Sequence, residues 1–170
     1  IYAMSPDGMV PFELIAEPTR DFGPAWSPDE SRIAFVSDRE GNEEIYLIRS
    51  SAVEEAINLT NSPAKDWDPA WSPNGDRLAF VSDRNGNDEL YVVFLADTSV
   101  LRLTVNSWRD GAPTWSPDGT EIAFTSDRDG SMELYRAAAD TTSTAAVRLT
   151  DLGGADDPVW SPGGTEIAFV

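Results

Sequence analysis

The chain has no cysteine and no histidine. The first absence excludes a disulfide framework, thiolate metal sites and a cysteine nucleophile, and it says nothing about compartment. The second removes the commonest general base and transition-metal ligand, so a Ser-His-Asp arrangement is impossible. Basic residues are scarce: 12 stand against 30 acidic ones, for a formal net charge of −18. Such a chain lacks the basic stripe needed to displace counterions, which argues against nucleic acid and anionic membrane surfaces as partners. The acids read as solvated turn residues that keep the chain soluble. No run approaches 18 consecutive apolar residues, so membrane insertion is not expected. No targeting signal is visible, and the first residue is Ile1 rather than Met, which reads as a processed, trimmed or fragmentary chain.

What is present is a core and a period. Apolar residues make up 41% and aromatics 10% of the chain, far more than a disordered segment carries. "WSPDESRIAFVSDREGNEEIY" begins at Trp26, "WSPNGDRLAFVSDRNGNDELY" at Trp71 and "WSPDGTEIAFTSDRDGSMELY" at Trp115, while "WSPGGTEIAFV" starts at Trp160. The four tryptophans are 45, 44 and 45 residues apart. A fixed period of this size means one supersecondary unit used repeatedly.

Within a repeat, "PAWSP" is bounded by prolines and predicts only a brief strand. "SPDE", "SPNG" and "SPDG" are turns, with Pro presetting φ and Asn/Asp-Gly accepting the positive φ that follows. "RIAFV" is apolar in succession, which predicts a strand buried on both faces. "SDREGNEE" supplies a second reversal, "IYLI" a third strand, and "AINLT", "VLRLT" and "AVRLT" a fourth. The one helix signal is the Ala-rich segment around 137–139, where a connection between strands belongs. Four short antiparallel strands per repeat, covered on both faces, make a blade of a β-propeller. The expected fold is all-β: a propeller of four four-stranded blades of about 44 residues each. The blades are assigned to 20–64, 65–108, 109–153, and 154–170 together with 1–19. Trp26, Trp71, Trp115 and Trp160 should fill the gaps between blades.

The string P-x-W-S-P-[DN]-G-x-x-[IL]-A-F-x-S-D-R-x-G-[NS]-x-[ED]-[IL]-Y resembles the TolB-type, WD-repeat-like propeller repeat. It departs at Asp29-Glu30, Thr125 and Gly163 without breaking the pattern. That repeat occurs in the periplasmic translocation protein TolB and in propeller domains attached to prolyl-oligopeptidase-like peptidases. The resemblance implies a periplasmic or extracellular, non-catalytic scaffold that binds a protein or peptide. The alternative it leaves open is the gating propeller of such a peptidase, with the catalytic domain elsewhere.

"IYAM" at the start is in register with "IYLI" at 45–48, and "IAFV" at the end with "IAFV" at 33–36. The fourth blade is therefore expected to divide between the two termini. Three arrangements fit: a four-bladed ring, two chains joined head-to-tail into an eight-bladed ring, or a piece of a larger propeller.

In a propeller the hairpin loops and the inter-blade loops share one face. Asp38-Arg39, Asp83-Arg84 and Asp127-Arg128 recur in every repeat and read as structural caps, Asp accepting backbone N–H groups and Arg tying adjacent blades together. The inter-blade residues Arg20, Asp21, Phe22, Lys65, Asp66, Trp67, Trp108, Arg109 and Asp110 vary more and form the candidate binding surface. "DRDGSME" at 127–133 has the look of a calcium loop without its full spacing. No cofactor is expected, and no nucleophile elbow, zinc motif or phosphate motif occurs, so no catalytic residue is assigned.

Overall fold

In each repeat the run between the two turns is the strand that everything else packs against. The computed structural model describes residues 1–8, 11–15, 19–51, 55–142 and 145–170. β1 (Tyr2–Ala3) and β2 (Phe12–Glu13) form a small hairpin. Three four-stranded antiparallel sheets follow. The first holds β3 (Asp21–Trp26), β4 (Arg32–Ser37), β5 (Glu44–Arg49) and β6 (Ile57–Asn58). The second holds β7 (Asp66–Trp71), β8 (Arg77–Ser82), β9 (Glu89–Phe94) and β10 (Val100–Arg102). The third holds β11 (Asp110–Trp115), β12 (Glu121–Ser126), β13 (Glu133–Ala138) and β14 (Val147–Arg148). A last pair, β15 (Val159–Trp160) and β16 (Ile167–Ala168), stands as a separate two-stranded sheet. No helix occurs among the described residues; the Ala-rich segment ends β13, where Ala137 is buried, and runs on to Ala139, buried in the turn that follows.

The second strands β4, β8 and β12 are buried at five consecutive positions each, as a strand sandwiched between two sheets must be. The first strands are longer than the flanking prolines suggested. Each runs six residues, with the register slipping between Phe22 and Ala25, Trp67 and Ala70, and Gly111 and Thr114. A bulge at Gly23-Pro24, Asp68-Pro69 and Ala112-Pro113 takes up the extra residues and leaves each Pro outside the ladder. Its first residue has positive φ: 59° at Gly23, 53° at Asp68 and 47° at Ala112.

Sheets are joined by stacked apolar faces and by a polar staple. Phe35–Tyr46, Phe80–Tyr91 and Phe124–Tyr135 stack across β4–β5, β8–β9 and β12–β13. The Trp71 indole N–H donates to Ala25 O of the preceding sheet, and that of Trp115 to Ala70 O, both at 3.0 Å. Arg32 reaches forward over the Trp71 ring and donates to Gly75 O at 3.1 Å. Arg77 repeats this over Trp115, bonding Gly119 O at 3.2 Å. The tryptophans are accordingly unequal: Trp115 is buried, Trp71 and Trp160 are half-buried, and Trp26 is 51% exposed. Trp26 does not fill a gap here: the β1–β2 hairpin beside the first sheet packs on it through Ile1, Leu14 and Ile15, against Ile33, Phe35, Tyr46 and Ile48.

Not all the acids sit in solvated turns. Glu44, Glu89 and Glu133, at the start of each third strand, are buried. Glu133 accepts from the Thr150 hydroxyl, from Gly153 N at 2.7 Å and from Leu152 N at 3.0 Å, with Arg148 beside it at 3.3 Å. Glu89 repeats this with Thr104, Asn106 N and Arg102. Glu44 has Thr60, Ser62 N and Asn42, but Asn58 stands where the other sheets have arginine. Each glutamate thereby pins the segment leading to the next sheet. The Thr150 hydrogen bond and the two backbone N–H groups hold the Glu133 carboxyl down to about 2, whereas burial pushes Glu44 up against its own hydrogen bonds.

Two outcomes are expected. Glu133 has a folded-state pKa below its unfolded value, so its contribution is present above about pH 4.5 and is lost as the pH falls toward 2. Glu133→Gln should lower the denaturation midpoint clearly at pH 7 and progressively less below pH ~4.5. Glu44, shifted the opposite way, should cost less at pH 7 when changed to Gln; equal losses in urea melts would contradict the asymmetry. Gly119 has φ +71° and an added Cβ would lie 3.5 Å from Pro73, whereas Gly163 has open space. Gly119→Ala should therefore cost about 1–2 kcal/mol and Gly163→Ala far less, read from the same melts.

Candidate protein-binding face

The loops between second and third strands lie beside the segments that enter each first strand. Backbone bonds lace them from sheet to sheet: Asp66 N to Glu43 O at 2.7 Å, Asp110 N to Asp88 O at 2.9 Å, and Ala155 N to Met132 O at 2.9 Å. Within a sheet the hairpin aspartates do the same work. Asp38, Asp83 and Asp127 accept from the backbone N–H of Arg20, Lys65 and Arg109 at 3.0, 2.9 and 2.9 Å.

The loop arginines differ from their expected role. Arg84 and Arg128 lie over the Phe-Tyr stack of their own sheet and pair with Asp66 and Asp110 at 2.9 Å. Arg39 is placed in the same way over Phe35 and Tyr46, 3.3 Å from Asp21. Arg32 and Arg77, on the second strands, reach from one sheet to the next and bond Gly75 O and Gly119 O. The three aspartates also change place. Asp66 and Asp110 are fully buried and the Asp21 side chain nearly so. They sit at the foot of the first strand as partners for arginine, beneath the surface to which they were assigned. Burial of such a pair is sustained by near-complete hydrogen bonding, with Ser82 and Ser126 accepting from the Nε of each arginine at 2.9 Å.

The aromatics separate likewise. Trp67 belongs to β7, opposite Val81, and packs half-buried against the core between the second and third sheets. Phe22 holds the equivalent place in β3, with the Arg20 guanidinium 4.6 Å from its ring centroid. Trp108 alone of the three lies on a loop, with its residue 46% exposed. Its backbone is fixed at both ends, Asn87 Nδ2 donating to its carbonyl at 2.5 Å and its N–H donating to Asn106 Oδ1 at 2.8 Å. Asn42 clamps the preceding loop in the same manner, donating to Ser62 O and Ala64 O at 2.9 and 2.5 Å. The signal for these asparagines in the sequence is the "GN" two residues before Glu44 and Glu89, replaced by "GS" before Glu133.

The exposed layer is thus Arg20, Lys65, Trp108 and Arg109. Arg20 and Lys65 both meet Glu43, at 3.2 and 3.6 Å, and Arg109 lies 3.9 Å from Asp88. The three basic side chains are 68%, 57% and 73% exposed, so each pair is a weak one of about 0.2–1 kcal/mol, easily exchanged for a partner's carboxylate. Burial raises the Asp88 carboxyl, against the pull of Arg109. The carboxylates of the calcium-like stretch are engaged: Asp127 by Arg109 N, Asp129 by Tyr135 and Arg148, and Glu133 as described. Among the described residues no cluster of three or more acidic side chains is arranged to hold a metal ion.

A family model described as the TolB beta propeller domain matches residues 1–170. No curated protein matches the chain. Among solved structures, TolB from Acinetobacter baumannii is 32% identical with a TM-score of 0.77, covering 96% of this chain and 41% of its own. A putative TolB from Agrobacterium tumefaciens is 29% identical with the same TM-score of 0.77, covering 86% of this chain and 52% of its own. A puromycin-hydrolyzing peptidase of Mycobacterium tuberculosis shares the fold, at 19% identity and a TM-score of 0.68 over 84% of this chain and 24% of that one. The chain therefore spans about half or less of the length of these proteins. With stacked antiparallel sheets, a repeat carried by Trp, Asp-Arg and Phe-Tyr, and a match along its whole length, this chain belongs to the TolB β-propeller domain family.

Proposed function

We propose that this chain is a non-catalytic propeller module that binds a protein or peptide on its laced loop face. The sheets are read as blades, with β15–β16 and β1–β2 as the inner and outer halves of a fourth. The observation that carries the functional reading is Trp108: a large amphipathic ring left exposed on a backbone fixed at both ends. Such a ring loses little freedom on contact and makes a good anchor. Arg109 lies next to it in sequence, and Lys65 and Arg20 occupy the equivalent position in the neighbouring sheets. A fitting partner presents apolar surface with carboxylates around it. The family resemblance further suggests a periplasmic or extracellular setting.

The test separates anchor from core. Trp108→Ala should leave the melting midpoint within the range of surface changes, about ±0.5 kcal/mol. Trp67→Ala should cost about 3 kcal/mol, because its ring packs between sheets. Panning a random peptide library on the parent should enrich binders that a Trp108→Ala, Arg109→Ala variant of unchanged stability fails to retain. Equal retention by that variant would move the binding surface elsewhere.

A further inference from the structure

Of the seven asparagines in the chain, only Asn74 and Asn85 precede glycine. In that dipeptide the backbone N of the second residue can approach the asparagine Cγ unhindered by a side chain and close a ring within the chain. Both pairs hold the same place in their turns, Gly75 N donating to Ser72 O at 2.9 Å and Gly86 N to Asp83 O at 2.8 Å. Both glycines have positive φ, 71° and 97°. Local geometry therefore does not distinguish the two asparagines; their surroundings do.

Asn74 is held from several sides. Its Oδ1 accepts from the Ser72 hydroxyl at 2.9 Å, and the oxygen of that buried hydroxyl accepts from Arg77 N at 3.0 Å. Gly75 O takes the Arg32 guanidinium of the preceding sheet at 3.1 Å, and a Cβ on Gly75 would lie 3.5 Å from Pro28. Opening this turn therefore gives up part of the join between the first and second sheets. Asn85 and Gly86 are both exposed, and nothing lies within 4 Å of where a Cβ on Gly86 would sit. The Asn85 side chain is tethered by its Nδ2, which donates to the Tyr91 hydroxyl at 2.5 Å. Opening this turn releases that contact and the Gly86 bond, both within one sheet, so it is the cheaper of the two local openings.

We propose that Asn85 is a site of spontaneous deamidation in the folded protein, and that Asn74 is protected by the join into which it is built. When the turn opens, the Gly86 amide loses its proton to hydroxide and its N attacks Asn85 Cγ. The N–Cγ bond forms, the Cγ–Nδ2 bond breaks, and Nδ2 leaves as ammonia after taking a proton from water. Water then opens the succinimide, at Cγ to give aspartate or at the main-chain carbonyl to give isoaspartate. Aspartate is accommodated, since Asp129 stands at this position in the third sheet and accepts from the Tyr135 hydroxyl. Isoaspartate adds a methylene to the main chain between Asp83, which caps Lys65 N, and Asn87, which donates to Trp108 O. It thereby disturbs one of the two bonds that fix the Trp108 backbone. The bearing of this on binding rests on the role proposed for Trp108; the reaction itself does not.

The experiment ages the 170-residue chain at mildly alkaline pH, with and without concentrated urea. Peptide mapping by mass spectrometry, with fragmentation, then locates each amide-to-acid conversion. In the folded chain Asn85 should convert about tenfold faster than Asn74, because opening the Asn74 turn also gives up the bond from a charged guanidinium to Gly75 O. Isoaspartate should be among the products. In urea, where neither turn persists, the two rates should come together. A folded chain in which Asn74 keeps pace with Asn85, or in which Asn85 stays unchanged, overturns the proposal. Neither result touches the peptide-retention comparison of the Trp108→Ala, Arg109→Ala variant, so the two readings fail separately.

Discussion

The whole array depends on the need to cover both faces of each second strand. Phe35, Phe80 and Phe124 point to one side of their sheets and Ala34, Ala79 and Ala123 to the other, and all six are inaccessible to water. A sheet apolar on both faces leaves one of them wet unless a neighbour covers each side. Stability therefore belongs to the joins between sheets more than to any sheet, as in other repeat proteins. The polar groups serve the same joins: the Arg–Trp staples bridge one sheet to the next, and the buried glutamates fix the segments that connect them.

The glutamates have a second effect. By taking the N–H groups that follow each fourth strand, they stop that strand and aim the chain at the next first strand. The exposed loops thus rest on a buried, hydrogen-bonded layer, and their outer side chains can change without disturbing it. Trp108 and the three exposed basic residues occupy that outer layer.

Much of this was legible in the sequence and some was not, for identifiable reasons. Strand order, turn positions and the Asp caps followed from periodicity and from residues with strong local preferences. The burial of Trp26 did not, because its local sequence matches that of Trp115 and only the neighbouring sheet distinguishes them. Asp21, Asp66 and Asp110 were legible and misassigned: each lies five residues before its Trp in the three full repeats, which marks a structural position. Trp67 was placed on a loop because Pro69 suggested a late strand start, whereas the bulge carries the strand past the proline. Glu44, Glu89 and Glu133 were hidden by their charge, since nothing local announces that a carboxylate will be met by a hydroxyl and two amides.

The staples also give the array a direction. Arg32 grips the sheet ahead of it and Arg77 does the same, but the corresponding residue at the third join is Glu121, which pairs with Arg136 instead. The Trp160 indole N–H there is buried with no partner among the described residues. The repeats are consequently not interchangeable modules: transposing the third into the first place would leave Trp71 without its guanidinium. The guanidinium staple is thus present at the first and second joins and replaced at the third by a pair within one sheet.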